Sequence, residues 1–209
     1  MRFVLYVAAA LALFVAGSAQ AQPWVSHYAK EDRFAAWFPA APTVTAAEWT
    51  DETGKVRKAR KFTAERNGNT YTLLAVDYSD RPEILMRPPI DHAAAQYRSK
   101  GTVTYDEDAQ VDRIPGRTLQ ITQADGRRVF FEAHYHDGRL YILDANMAPR
   151  AAPPGQFQQT LQVLDRQGVR VRYDNNGKRM ERTDDLNESL GGPDLTKPIL
   201  EGNKDVYIP

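Results

Sequence analysis

The chain has 209 residues, with 27 basic side chains against 27 acidic ones, four histidines and no cysteine. Balanced charge leaves no whole-protein field for holding nucleic acid or an anionic membrane. The lack of cysteine excludes disulfides, thiolate metal ligands and a thiol nucleophile, so stability has to come from a packed core.

Residues 1–21 read as a secretory signal peptide: Met1-Arg2, an apolar run over 3–16, then Gly17-Ser18-Ala19-Gln20-Ala21. Small residues at the −3 and −1 positions predict cleavage after Ala21, which makes Gln22 the mature N-terminus. No cysteine stands at that position to take a lipid anchor, and nothing after residue 21 approaches the ~18 apolar residues of a membrane span. The expectation is a periplasmic or secreted protein with one domain over 22–173 and a disordered C-terminal tail over 174–209, poor in apolar residues and aperiodic.

Phe34-Ala35-Ala36-Trp37-Phe38 reads as an edge strand stopped by Pro39, and Pro42-Thr43-Val44 resumes in extended form. Two β-rich runs, 56–66 and 70–78, flank Asn67-Gly68, a dipeptide that supplies the positive φ angles of a tight hairpin. Residues 82–89 form a proline-punctuated loop. A helix over 90–100 follows, with Ile90, Ala93, Ala94 and Tyr97 on one stripe and Gly101 closing it.

Residues 103–145 read as a meander broken at Pro115-Gly116, Asp125-Gly126 and Asp137-Gly138. A two-residue loop at Asp137-Gly138 pairs Tyr135 with Leu140 and Ala133 with Ile142, placing Val129 and Phe131 on the same buried face. Phe130, Glu132, His134, His136, Tyr141 and Leu143 share the other face. A bulge at Gly126 would set Ile121 across from Phe131. Pro153-Pro154 opens a second expected helix with Phe157, Leu161 and Leu164 at helical spacing; Gly168 ends it before a strand over 169–173.

Few groups here promise chemistry. Glu132, His134 and His136 lie two apart on a strand, so one face offers two imidazoles and a carboxylate, and Tyr141 joins them as a candidate binding residue. A zinc site needs three or four ligands, and solvated polar positions beside a turn account for the same residues, so no metal or cofactor is assigned. Asp91-His92 are neighbours on a helix and do not face each other. Asp106-Glu107-Asp108 read as a solvated acidic run. No nucleophile elbow and no phosphate-binding glycine loop is present, so no residue is assigned a catalytic role. Residues 55–61 carry five positive charges, which on an edge strand would guard against aggregation or, alternatively, meet an anionic surface ligand.

Phe34 to Pro39 with Pro42 and Val44 resembles the F-x-x-x-F-P-x-x-P-x-V opening of small exported bacterial domains related to the PsbP-like α/β/α sandwich. Pro115-Gly116-Arg117, Arg139-Leu140-Tyr141 and the segment from Phe157 to Leu161 are similar to later parts of that pattern. The resemblance implies an α+β fold: a single antiparallel sheet of about seven to nine strands with two helices packed on it. It also implies a binding or accessory role beside an envelope protein, without catalysis. The alternative is a metal-dependent enzyme or metal carrier built on the His-x-His pair.

Overall fold

A computed structural model of the protein describes residues 23–81 and 86–180. Asn67 and Gly68, at φ 53° and 70°, close the hairpin between β4 (Val56–Arg66) and β5 (Asn69–Asp77) as their sequence demands. In front of it lie β1 (Val25–Ala29), β2 (Phe34–Phe38) and β3 (Thr43–Thr50). Helix α1 (Arg87–Arg98) follows, then β6 (Thr102–Val111), β7 (Ile114–Thr122), β8 (Arg128–His136) and β9 (Arg139–Met147). A single helical turn, α2 (Gly155–Gln158), and the short β10 (Gln162–Val163) complete the elements.

The strands form two sheets, a seven-stranded one in the order β3-β4-β5-β9-β8-β7-β6 and a three-stranded one in the order β1-β2-β10. Alternation along the large sheet gives it two apolar faces. One carries Phe62, Leu73, Phe130, Tyr141 and Leu143 and packs against Phe34 and Phe38 of the small sheet. The Phe34 and Phe62 rings meet edge-on at 4.8 Å. The other carries Val76, Leu119, Phe131, Leu140 and Ile142, beneath Ile90, Ala93, Ala94 and Tyr97 of α1. The helical stripe read from sequence is the face that α1 buries.

The expected single sheet with two helices is therefore corrected to a mostly β architecture that has, among the described residues, two sheets and one helix of more than a single turn. The second helix fails because Val163, which lies off the stripe of Phe157, Leu161 and Leu164, is also fully buried. The chain extends there, and Gln162 and Val163 pair with Ala35 and Phe34. That pairing also makes β2 the central strand of its sheet, not an edge. Residues 169–173 form no strand; they make isolated bridges, Leu164 to Arg170 and Tyr173 to Arg179.

Pro115-Gly116 is not a turn. The β6–β7 turn falls at Asp112 and Arg113, two non-glycine residues at φ 49° and 66°. Pro115 sits beyond the last β8 partner, so its missing N–H leaves that ladder intact. Gly116 is needed because a Cβ there would run into the Ala133 carbonyl and the His134 ring. The β8–β9 register, Tyr135 with Leu140 and Ala133 with Ile142, is as expected. Ile121 pairs with Val129 and Leu119 with Phe131, a shift of two that preserves the face.

The ordered domain runs past residue 173. Asp174 accepts hydrogen bonds from the N–H groups of Asn176 and Lys178 at 2.8 and 2.9 Å. The expectations for residues 1–22, 82–85 and 181–209 lie outside the described residues. Among the described residues no helix is long and apolar enough to cross a membrane.

Candidate functional site

Strand β8 places Glu132, His134 and His136 on one face, and β9 adds Tyr141 directly opposite His134. The alternation is as read, but this face is the one the small sheet and the segment after α2 cover. His134 is fully buried, and its Nε2 lies 2.6 Å from Glu132 Oε1. His136 is half-buried, with Nε2 2.9 Å from the Tyr173 hydroxyl. Burial pushes its imidazole below the usual value, with the Asp137 carboxylate acting in the opposite sense. The buried Tyr141 hydroxyl donates to the Arg33 carbonyl at 2.8 Å and lies 3.1 Å from that of Asp32; burial pushes its pKa up.

The four residues are thus neighbours but not an open site. Tyr141 and His136 tie the large sheet to the chain that crosses it, Glu132 and His134 bond to each other, and the picture of solvated positions beside a turn is corrected for His134. Among the described residues no group of three or more histidine or carboxylate side chains is placed to hold a metal ion. Asp91 and His92 diverge: Asp91 is 3.3 Å from Arg87, whereas His92 Nε2 lies 2.9 Å from the Thr50 carbonyl. Asp106 and Asp108 are each ion-paired to Arg117.

One cluster escaped the sequence reading. Asp144 accepts a 2.9 Å hydrogen bond from Tyr97 of α1, and Lys100 lies 3.8 Å from the same carboxylate and 3.2 Å from the Tyr97 ring centre. Burial raises the Asp144 carboxyl and lowers the Lys100 ammonium. The available signal was a single carboxylate between Leu143 and Ala145, on the same strand face as Leu140 and Ile142. The trio pins α1 to the sheet.

The basic run is also largely committed to partners. Arg57, buried, holds Asp51 at 2.6 Å and stacks 4.0 Å over the Tyr78 ring. Lys55 pairs with Asp80, and Arg60 pairs with Glu31 and Asp32. The run occupies β4, one strand in from the edge, so the edge-guarding reading is corrected: β3 is the edge.

The two edges of the large sheet differ. Strand β6 has a register irregularity between Val103 and Tyr105, and its Asp106 and Asp108 are ion-paired to Arg98, Arg117 and Arg87. These features blunt an edge. Strand β3, Thr-Val-Thr-Ala-Ala-Glu-Trp-Thr, pairs with β4 without interruption over eight residues, holds one charged residue and no proline, and is exposed at six of its eight positions. Among the described residues only the His92 ring reaches this edge, at the Thr50 carbonyl, so the rest of β3 is a template for another strand. No protein-family model, curated protein or solved structure matches the chain.

Proposed function

We propose that the chain is an exported, non-enzymatic binding or accessory protein of the bacterial envelope, and that it engages a protein partner by strand addition at β3. The contrast between the two sheet edges carries this reading. Strand β6 is blunted by a bulge and ion pairs, whereas β3 runs unbroken for eight residues, six of them exposed, with His92 touching its edge at Thr50, a contrast that favours β3 as the edge for pairing. The export signal at residues 1–21 supports the envelope location. An anionic surface ligand is disfavoured, because Lys55, Arg57 and Arg60 of the basic run already have carboxylate partners. The metal-carrier alternative is less favoured, since Glu132 and the buried His134 bond to each other.

The test is a photo-reactive residue placed at exposed Thr45 on β3 or at exposed Thr104 on β6, in cells followed by fractionation. The reading expects a mature protein lacking residues 1–21 in the envelope fraction, with adducts from position 45 and not from 104. Retention in the cytoplasm, or adducts from 104 alone, would overturn it.

A further inference from the structure

Resting on the reading that β3 is the contact edge, we infer that the strand added there is β3 of a second copy, in one antiparallel register centred on Ala47. A two-fold axis normal to the sheet sets residues of the same face opposite one another, so only registers joining positions of equal parity are allowed. Centring on Glu48 would place two like charges face to face. Centring on Ala46 would set Glu48 against Val44, an apolar side chain that is 38% exposed.

Centring on Ala47 removes both conflicts. Ala46 then faces the second copy's Glu48, Thr45 faces its Trp49, and Val44 faces its Thr50. Within each subunit Ala46 pairs with Arg60, Glu48 with Lys58, Val44 with Phe62 and Thr50 with Val56. Across the dimer one row therefore reads Arg60, Ala46, Glu48, Lys58. Each Glu48 lies between the Lys58 of its own subunit and, across a small alanine, the Arg60 of the other. The next row on that face reads Phe62, Val44, Thr50, Val56, so Val44 and Val56, both exposed in the single subunit, flank Thr50 along one row. On the helix side, Thr45 and Trp49 form a β-branched–aromatic pair, a favourable cross-strand combination. The two large sheets become one continuous sheet, and at each end of the seam the Thr50 carbonyl exchanges its His92 contact for the Val44 N–H of the second copy.

One strand pair is a smaller contact than the ~1,600 Å² of a standard interface, so the dimer is expected to be weak and concentration-dependent. The experiment uses the full mature chain. Because it contains no cysteine, Ala47→Cys creates a single thiol that meets only itself across the axis. Directly opposite residues have Cβ atoms about 4.5–5.5 Å apart, within reach of a disulfide or a short bis-maleimide linker. The expected result is a covalent dimer from Ala47→Cys and none from Thr104→Cys on β6. Sedimentation should show a reversible dimer whose dissociation constant rises at least about tenfold in Glu48→Lys. Both variants alter edge positions, and circular dichroism confirms their folding.

A dimer that neither cross-links through position 47 nor responds to Glu48→Lys overturns the inference. So does a chain that stays monomeric while position 45 cross-links to a different envelope protein; that outcome leaves strand addition at β3 standing. A monomer with no adduct at position 45 removes both.

Discussion

Replacing Asp51 by asparagine should destabilise the protein by about 3 kcal/mol, because it leaves the buried Arg57 guanidinium short of a charged partner. Both side chains are almost wholly inaccessible, at 2% and 0% exposure, and their contact is 2.6 Å. Asp51 also accepts from the Thr53 N–H at 2.8 Å, the Thr53 hydroxyl at 2.7 Å and the Lys55 N–H at 2.9 Å, which shapes the β3–β4 turn. Asparagine keeps an acceptor for those bonds, so the substitution isolates the charge. Breaking one side of a buried pair typically costs about 3–5 kcal/mol. The lower figure applies here because Asp80 also reaches Arg57. For a domain of this size, about 3 kcal/mol lowers Tm by roughly 6–12 °C.

Urea unfolding monitored by tryptophan fluorescence measures the loss directly. Adding Arg57→Met to Asp51→Asn should recover most of it, since removing both charges removes the uncompensated one. Burial alone would raise the Asp51 carboxyl. The hydrogen bonds from Thr53, Lys55 and Arg57 outweigh burial and hold the carboxyl well below its usual range. A depressed carboxyl pKa contributes stability that is present above the unfolded value and lost as pH falls through the folded one. The wild type should therefore lose stability below about pH 4 more steeply than Asp51→Asn. A loss under about 1 kcal/mol in the single variant would refute the assignment.

Burial lowers the pKa of both His27 and His136 from 6.5, so they fold neutral; their contribution is complete above that value and is lost as pH falls below it. The urea midpoint should fall between pH 7.5 and 5.5, and the double variant His27→Leu with His136→Leu should flatten that slope. Gly116→Ala should cost about 1–3 kcal/mol by overpacking against Ala133 and His134, a loss seen as a lower urea midpoint at unchanged slope. Zinc at about 100 μM should raise Tm by less than about 1 °C, because the His134 ring is enclosed and bonded to Glu132; a larger rise would restore the metal reading.

Local features were legible in the sequence where a turn or a stripe fixes geometry by itself. Asp137-Gly138 sets a two-residue loop, and with it the pairing of Tyr135 and Leu140. Ile90, Ala93, Ala94 and Tyr97 mark the buried face of α1 at helical spacing. The β7–β8 register slipped by two, because a longer turn with Gly126 at φ 80° admits several bulged closures. The small sheet was illegible, since β2 and β10 pair across a long stretch of chain and neither strand announces the other.

The same distance explains the site. Alternation correctly placed Glu132, His134, His136 and Tyr141 together, but what covers them arrives from residues such as Asp32, 109 positions from Tyr141. Pro115-Gly116 misled because the dipeptide suits a turn equally well, whereas here Gly116 makes room for the neighbouring strand. Asp144 was overlooked because one carboxylate in an apolar strand gives no spacing signal. The open edge at β3 emerged only once the strand order was known.

Hydrogen exchange of the β3 amides, followed as the mature protein is concentrated from low to high micromolar, tests the central claim most directly. Pairing at that edge predicts that the outward-facing amides of Val44, Ala46, Glu48 and Thr50 become protected with concentration, while the outward-facing amides of β6 keep their rates. Rates on β3 that stay constant across the series, or protection that rises on β6 instead, would contradict it.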